Sequence, residues 1–515
     1  MDFEHKNFYL MDGHGNPQHS PYSLLYNVTV SFLNDTKSNV SRKWPSFEIE
    51  GYLSVRVGRS KPLTHAAEIN ISETKSYRHQ QPTTQMKGLL SVPNSESIDR
   101  CDTPKIHQAF TDASANKVRS QKCGQPHYRF HKKHKYWAKL GVPCVSKWRL
   151  FVQTVAISLG RLPLWTMFTQ QYDALSGHKW GGTYQIGRPS LFFRDPEIIR
   201  CCLVNSFSHF HDRHDVKTNE DDPLTQDLFH LCGHRWHIVR QRVAQAFSSA
   251  KLRLLYQSLC GCAQKLDAHI SSLCSEQGSE EVEVCIKELM ANYTMEVISA
   301  SALGIQCNAI KYPDCELRRI LELTMSFSFR KYCIWFMECI WPGLYGKLGP
   351  VLTENIMVGI ISSFLSVGYE TMASVLAICL YEVALHQEVQ QRLFQEISQV
   401  RKEAGGEITF DDTKKLQFME QVMSETLRKY PVATTIGRCC TEPFQMPDSP
   451  VVVEKGILCF FPTLSLHHDP KYFPEPEKFD PDRFAPENLD KIVPGSYLPF
   501  GDGPRSCIGN VFQVT

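Results

Sequence analysis

Ten residues near the end of the chain, Phe500 to Gly509, read FGDGPRSCIG and carry a single thiol, that of Cys507. Gly501, Gly503 and Pro504 permit a tight bend before it, and Gly509 withholds a side chain just beyond the sulfur. Such a loop can hold one cysteine fixed, with neighbouring backbone amides turned toward it. A thiolate presented this way is a strong ligand for haem iron, and it pushes electron density onto the metal so that O–O cleavage is favoured. Amides aimed at the sulfur, with Phe500 as an apolar shield, would set the iron's potential. A dinucleotide-binding loop competes for Gly501 and Gly503, but Ser506 stands where its third glycine belongs.

Further constellations lie upstream in a fixed order. Trp236 and Arg240 are four residues apart and so share one helical face. Gly368, Glu370 and Thr371 fall in VGYETMAS, inside a nearly continuous apolar stretch. Glu425 and Arg428 are three apart on another helical face, Arg438 follows in TTIGR, and Arg483 sits in PDRF. Together with Phe500, Gly503, Arg505, Cys507 and Gly509, which match F-x-x-G-x-R-x-C-x-G, the set resembles the cytochrome P-450 haem-thiolate monooxygenases. LSLHHDPKYFPEPEKFDPDRF is closely similar to the insect detoxifying branch, the third clan.

The resemblance implies roles for these residues. Cys507 would be the metal ligand, with Phe500 and Arg505 beside the cofactor. Trp236 and Arg240 would bind one haem propionate and Arg438 the second, a guanidinium suiting a carboxylate through its planar fork of donors. Glu370 and Thr371 would activate oxygen, the hydroxyl bonding dioxygen and the carboxylate relaying protons. Val367 departs from the Ala or Gly of A/G-G-x-D/E-T, and its branched side chain would narrow the gap in the helix wall. Glu425, Arg428 and Arg483 would form a buried structural lock. The cofactor would be haem b, and the electron donor NADPH–cytochrome P-450 reductase, since no flavin or nicotinamide motif is visible. One atom of O2 would enter a small apolar substrate, a xenobiotic or a lipid-like compound. The expected location is the cytosolic face of the endoplasmic reticulum membrane, with the cytoplasm as the alternative.

The elements that must position these groups are legible in outline. The chain has 515 residues, 42% of them hydrophobic, enough for a large core. A net charge of +2 argues against nucleic acid as a partner. Nineteen cysteines without a C-x-x-C pattern read as reduced thiols. No run of about 18 apolar residues is found, so no transmembrane helix is expected. Residues 1–127 are polar, with strand-like alternation at Phe47, Ile49, Leu53, Val55 and Val57, and are expected to be a mostly disordered extension unrelated to the family. Sequons at Asn27, Asn34, Asn39 and Asn70 are expected to be idle. Residues 128–515 are expected to be the family domain, opening on a basic linker in which His131 and His134 read as solvated residues ahead of metal ligands, and whose Lys and Arg would bind acidic lipid head groups. His209, His211 and His214 lie close together in what reads as helix and loop. The expected fold is mainly α with a small β side-domain, built around a buried helix from about Glu354 to Leu385. Residues 250–345 read as mostly helical, with aromatic-rich segments such as YCIWFMECIW that would roof the substrate pocket, while further lid helices between GLYGKLGPVLTENI and the next helix, and the family's C-terminal helix and hairpin, are expected to be missing. The rival to an active enzyme is therefore a truncated product that binds haem weakly or not at all.

Overall fold

A computed structural model describes residues 26–32, 53–59, 136–158, 162–185, 187–214, 226–278, 281–319 and 354–510. Phe47, Ile49, His131, His134, the sequons at Asn34, Asn39 and Asn70, and the aromatic lid segment at 332–341 lie outside the described residues. The fold is mainly helical with a small sheet region, as the sequence predicts.

In chain order the elements are β1 (Tyr26–Phe32), β2 (Leu53–Arg59), α1 (Tyr136–Lys139), α2 (Lys147–Ser158), α3 (Leu164–Ala174), β3 (Trp180–Gln185), β4 (Arg188–Phe193), α4 (Pro196–Arg200), α5 (Gly233–Ala244) and α6 (Ser249–Glu276). They continue as β5 (Glu281–Cys285), α7 (Ile286–Ile298), α8 (Glu354–Leu385), α9 (Gln387–Glu403), α10 (Gln417–Lys429), β6 (Ile436–Cys439), β7 (Phe444–Gln445), β8 (Val452–Val453), β9 (Leu458–Phe461) and α11 (Thr463–His467).

The long helix α8 forms because 32 residues pass without proline and are apolar almost throughout. Leu365, Tyr369, Ala373 and Ala377, each four residues from the next, make a ridge packed on Met290, Met295 and Ile298 of α7. The hydroxyl of Thr294 lies 3.1 Å from the Tyr369 carbonyl and ties the two helices together. Gly368 lets them close up, since a Cβ there would stand 2.8 Å from Ile298 Cδ1. By length and composition Ile361–Leu385 could cross a bilayer, which corrects the expectation of no such segment. Its packing on α7 is that of a core helix.

The main sheet has the order β3-β4-β9-β6. β3 and β4 are an antiparallel hairpin, β4 runs parallel to β9, and β9 is antiparallel to β6. This register sets Arg438 opposite Cys459. Leu191, Phe192, Phe193 and Phe461 are buried, with the last two rings stacked at 5.0 Å. A second sheet of order β1-β2-β5 pairs Val30 with Val55, and Val55 with Val284. Leu53, Val55 and Val57 thus fall in β2, while Asn27 lies in β1.

Candidate functional site

The Cys507 loop is held by its own backbone. The Gly501 amide donates to the Leu498 carbonyl, Ser506 to Gly503 (3.0 Å), and Cys507 to Phe500 (2.8 Å). The Asp502 side chain accepts from the Gly503 amide at 2.7 Å. The amides of Ser506 and Cys507 are therefore engaged by carbonyls. The free thiol of Cys507 is half-buried, and a Cβ on Gly509 would lie 4.0 Å from its sulfur. Gly503 has φ +71°, and a Cβ there would sit 1.9 Å from the Leu203 carbonyl oxygen. Only glycine lets the loop seat on this turn after α4.

Arg505 roots the loop. Its terminal nitrogens donate to the carbonyls of His211 and Leu231, its charge lies 3.4 Å from Asp212, and its guanidinium stands 4.6 Å from the Trp236 ring. Nearby, Arg213 lies 4.2 Å from the Phe229 ring and 3.5 Å from the Arg505 carbonyl, while Arg438 donates to the Gly437 carbonyl at 2.8 Å. The Nε atoms of Arg213, Arg438 and Arg505 are buried with no hydrogen-bond partner. Burial, reinforced by repulsion from Arg213 and Arg505, pushes Arg438 far down. Burial likewise brings Arg213 to about 10 and lowers Arg240, with the Cys507 sulfur within electrostatic reach of both. Burial raises the Asp212 carboxyl, but hydrogen bonds from His211 and Gly233 and the charge of Arg505 outweigh it, and the net direction is down. Orphaned buried N–H groups in a cationic cluster call for an anion. Arg213 was not singled out from sequence. Its only signal was the arginine of HFHDR among the three histidines. His211 hydrogen-bonds Asp212 at 2.8 Å, and no metal-holding group of histidine, cysteine and carboxylate exists among the described residues.

On α8, Val367 and Thr371 are one turn apart. Val367 is 50% exposed, and the Thr371 hydroxyl donates to its carbonyl. Their face is open where Tyr369 and Ala373 face α7. Glu370, also partly exposed, stands 3.8 Å from Lys287.

Behind the loop lies a charged network. Glu425 receives Arg428 Nε (2.7 Å), Arg428 Nη2 (2.8 Å) and the Asp480 amide (2.9 Å), and Arg483 approaches to 3.4 Å. Glu425 and Arg428 are fully buried. Arg428 also donates to the His467 carbonyl, and His467 Nε2 accepts from the Leu498 amide at 2.8 Å. His467, which sequence reading passed over, therefore joins this network to Leu498, two residues ahead of the Cys507 loop. The Tyr497 hydroxyl adds a bond to the Ser424 carbonyl.

A flat, dianionic iron porphyrin fits this donor set: a thiol for the metal, and unpaired guanidinium N–H groups for the carboxylates. The comparisons agree. The profile of the family described as Cytochrome P450 matches residues 163–350 and 344–512. Probable cytochrome P450 6a13 of Drosophila melanogaster is 30% identical, over 75% of this chain and 85% of its own length. Probable cytochrome P450 6a14 of the same fly is 33% identical over 64% of this chain and 76% of its own, and cytochrome P450 9e2 of Blattella germanica is 30% identical over 67% and 78%. The motif order, the helical fold and these matches together make the chain a haem-dependent monooxygenase of the cytochrome P450 family, in the branch of its insect members.

Proposed function

We propose that the chain hydroxylates small apolar organic compounds, xenobiotic or lipid-like, at the cytosolic face of the endoplasmic reticulum membrane. The balance is RH + O2 + NADPH + H⁺ giving ROH + H2O + NADP⁺, with electrons delivered by NADPH–cytochrome P-450 reductase. Haem b, when bound, supplies the activation of dioxygen and the transfer of one oxygen atom. Cys507 would hold the iron. Its loop is positioned from behind by His467 and Tyr497, and seated on Leu203 by Gly503. Arg213, Arg240, Arg438 and Arg505, with Trp236, would hold the carboxylates, and Phe500 would shield the sulfur. Thr371 would hold a proton-bearing hydroxyl over the open face of α8, and Glu370 would exchange protons with solvent beside Lys287. Glu425, Arg428 and Arg483 would keep the loop's scaffold in one arrangement.

The observation that carries this reading is the half-buried Cys507 thiol beside buried arginines whose Nε atoms lack partners. The test is the reduced carbon-monoxide difference spectrum. Cys507→Ser should abolish the red-shifted band of a thiolate-ligated haem, and Cys144→Ser, at an exposed thiol, should leave it intact. A normal band in the Cys507 variant would overturn the assignment.

A further inference from the structure

The strands β1 and β2 lie outside residues 163–350 and 344–512, the stretches that the family profile matches, yet they pair with β5, which lies inside them. The register joins like to like. Val28, Val57 and Val282 form one row across the three strands, and Val30, Val55 and Val284 form another. Between these rows, on the other face of the sheet, Arg56 is set directly opposite Glu283. A slip of one residue would set valines opposite charges, so the pattern of β2 and β5 selects this pairing.

The valine face is the inner one. Val282 is buried, and Val284 packs against the core that α7 and α8 share. In the same arrangement β2 lies against α7, and β1 against α8. Without β2, the strand β5 would present a row of unpaired backbone groups beside alternating valines. The strand also sets the start of a helix. Cys285 ends β5 and Ile286 begins α7, and the Cys285 side chain makes no capping hydrogen bond. The position of this first turn therefore depends on the strand before it. Lys287, the second residue of α7, stands 3.8 Å from Glu370 of α8.

We propose that β5 is a docking edge within the family domain and that β1 and β2 are its partner in the same chain. The pairing is a clasp that holds the first turn of α7, and Lys287 with it, against α8. Neither test below needs haem or turnover, so their failure leaves the monooxygenase reading standing.

The register is tested by cross-linking in the full chain. Ser54 is the partner of Cys285. Directly paired residues on antiparallel strands have Cα atoms about 4.5–5.5 Å apart, within disulfide range. Ser54→Cys should therefore form a disulfide with Cys285 in oxidised glutathione, identified by peptide mapping. Arg56→Cys, on the same face but diagonal to Cys285 at about 7–8 Å, should not. Absence of the 54–285 link, or equal linking of both variants, would overturn the proposal. The clasp itself is tested by amide hydrogen exchange. Val55→Pro with Val57→Pro breaks the central strand of the sheet. The slow amides of β5 and of the first turn of α7 should then exchange about tenfold faster or more. Those of β4 and β9 should keep the parent's rates. Unchanged exchange in β5 and α7 would overturn the clasp. Should the proline variant unfold throughout, β4 and β9 would lose protection as well, and the cysteine pair then decides.

Discussion

Three guanidinium groups with unpartnered Nε atoms explain how the residues of the site divide between visible and hidden. Arg438 and Arg505 belong to short strings whose spacing is informative by itself, so the sequence exposed them. Arg213 becomes part of the cluster only when the segment before α5 folds under the Cys507 loop, almost three hundred residues on in sequence. No local pattern encodes that contact. A hydrogen bond to a charged group contributes about 1.5–3 kcal/mol, and about 1.4 kcal/mol is a factor of ten. Arg213→Gln should therefore speed haem transfer to apomyoglobin by about tenfold or more with circular dichroism unchanged. An unchanged transfer rate would give Arg213 a purely structural role. Thr371 stands on the open face of α8 with its hydroxyl proton on the Val367 carbonyl, leaving oxygen lone pairs to accept. Thr371→Ala should keep NADPH consumption while product gives way to peroxide. Unchanged coupling of NADPH to product would remove Thr371 from the proton path.

Elements place these residues by close approach as much as by hydrogen bonds. The loop at Cys507 meets the turn after α4 where a carbonyl nearly touches Gly503. Gly501 has a similar φ of +75°, yet a methyl group added there would find its nearest neighbour 3.7 Å away. Both glycines lie in the same readable motif, and only the fold distinguishes them. Alanine at either position incurs the left-handed penalty of about 1–2 kcal/mol. At 503 it also strikes the Leu203 backbone, which cannot rotate away as a side chain would. Gly503→Ala should thus lose most bound haem and lower Tm by more than Gly501→Ala does. Haem per chain and calorimetry check this, and equal losses would show that the contact with Leu203 yields easily. The helix α8, by contrast, was readable almost to its ends, because a long apolar run without proline has few other places to go. The strand-like alternation at Leu53, Val55 and Val57 was also readable, but its partner β5 was not, since register with residues 281–285 is a long-range choice.

At the scale of the whole molecule, the network behind the loop ties stability to pH. Because the Leu498 amide donates to Nε2 of His467, the ring proton is on Nδ1 and faces the Arg428 carbonyl, so the ring can take a second proton only at Nε2, by breaking the bond to Leu498. Burial, with the charges of His468 and Arg428 adding to it, brings His467 down to about 3. Burial brings the adjacent His468 to about 4. In the unfolded chain both return to 6.5, the ordinary value. Below pH 6.5 the unfolded chain therefore binds protons that the folded chain refuses, and stability falls as pH falls toward 4. Each such group gives a slope of about 1.4 kcal/mol per pH unit. Above about pH 7 both are neutral in either state and contribute no slope. Urea unfolding at pH 5, 6, 7 and 8 should show this fall on the acid side and a plateau for these groups on the other. His467→Leu should lower stability at pH 7, since the Leu498 amide and the Arg428 carbonyl lose partners at about 1–3 kcal/mol each. The same variant should flatten the acid slope by about one proton's worth. A variant with the parent's full slope would move the acid sensitivity to other groups. A flattened slope would mean that protonation of one histidine loosens the Leu498 end of the Cys507 loop, so haem release and unfolding should share one acid midpoint.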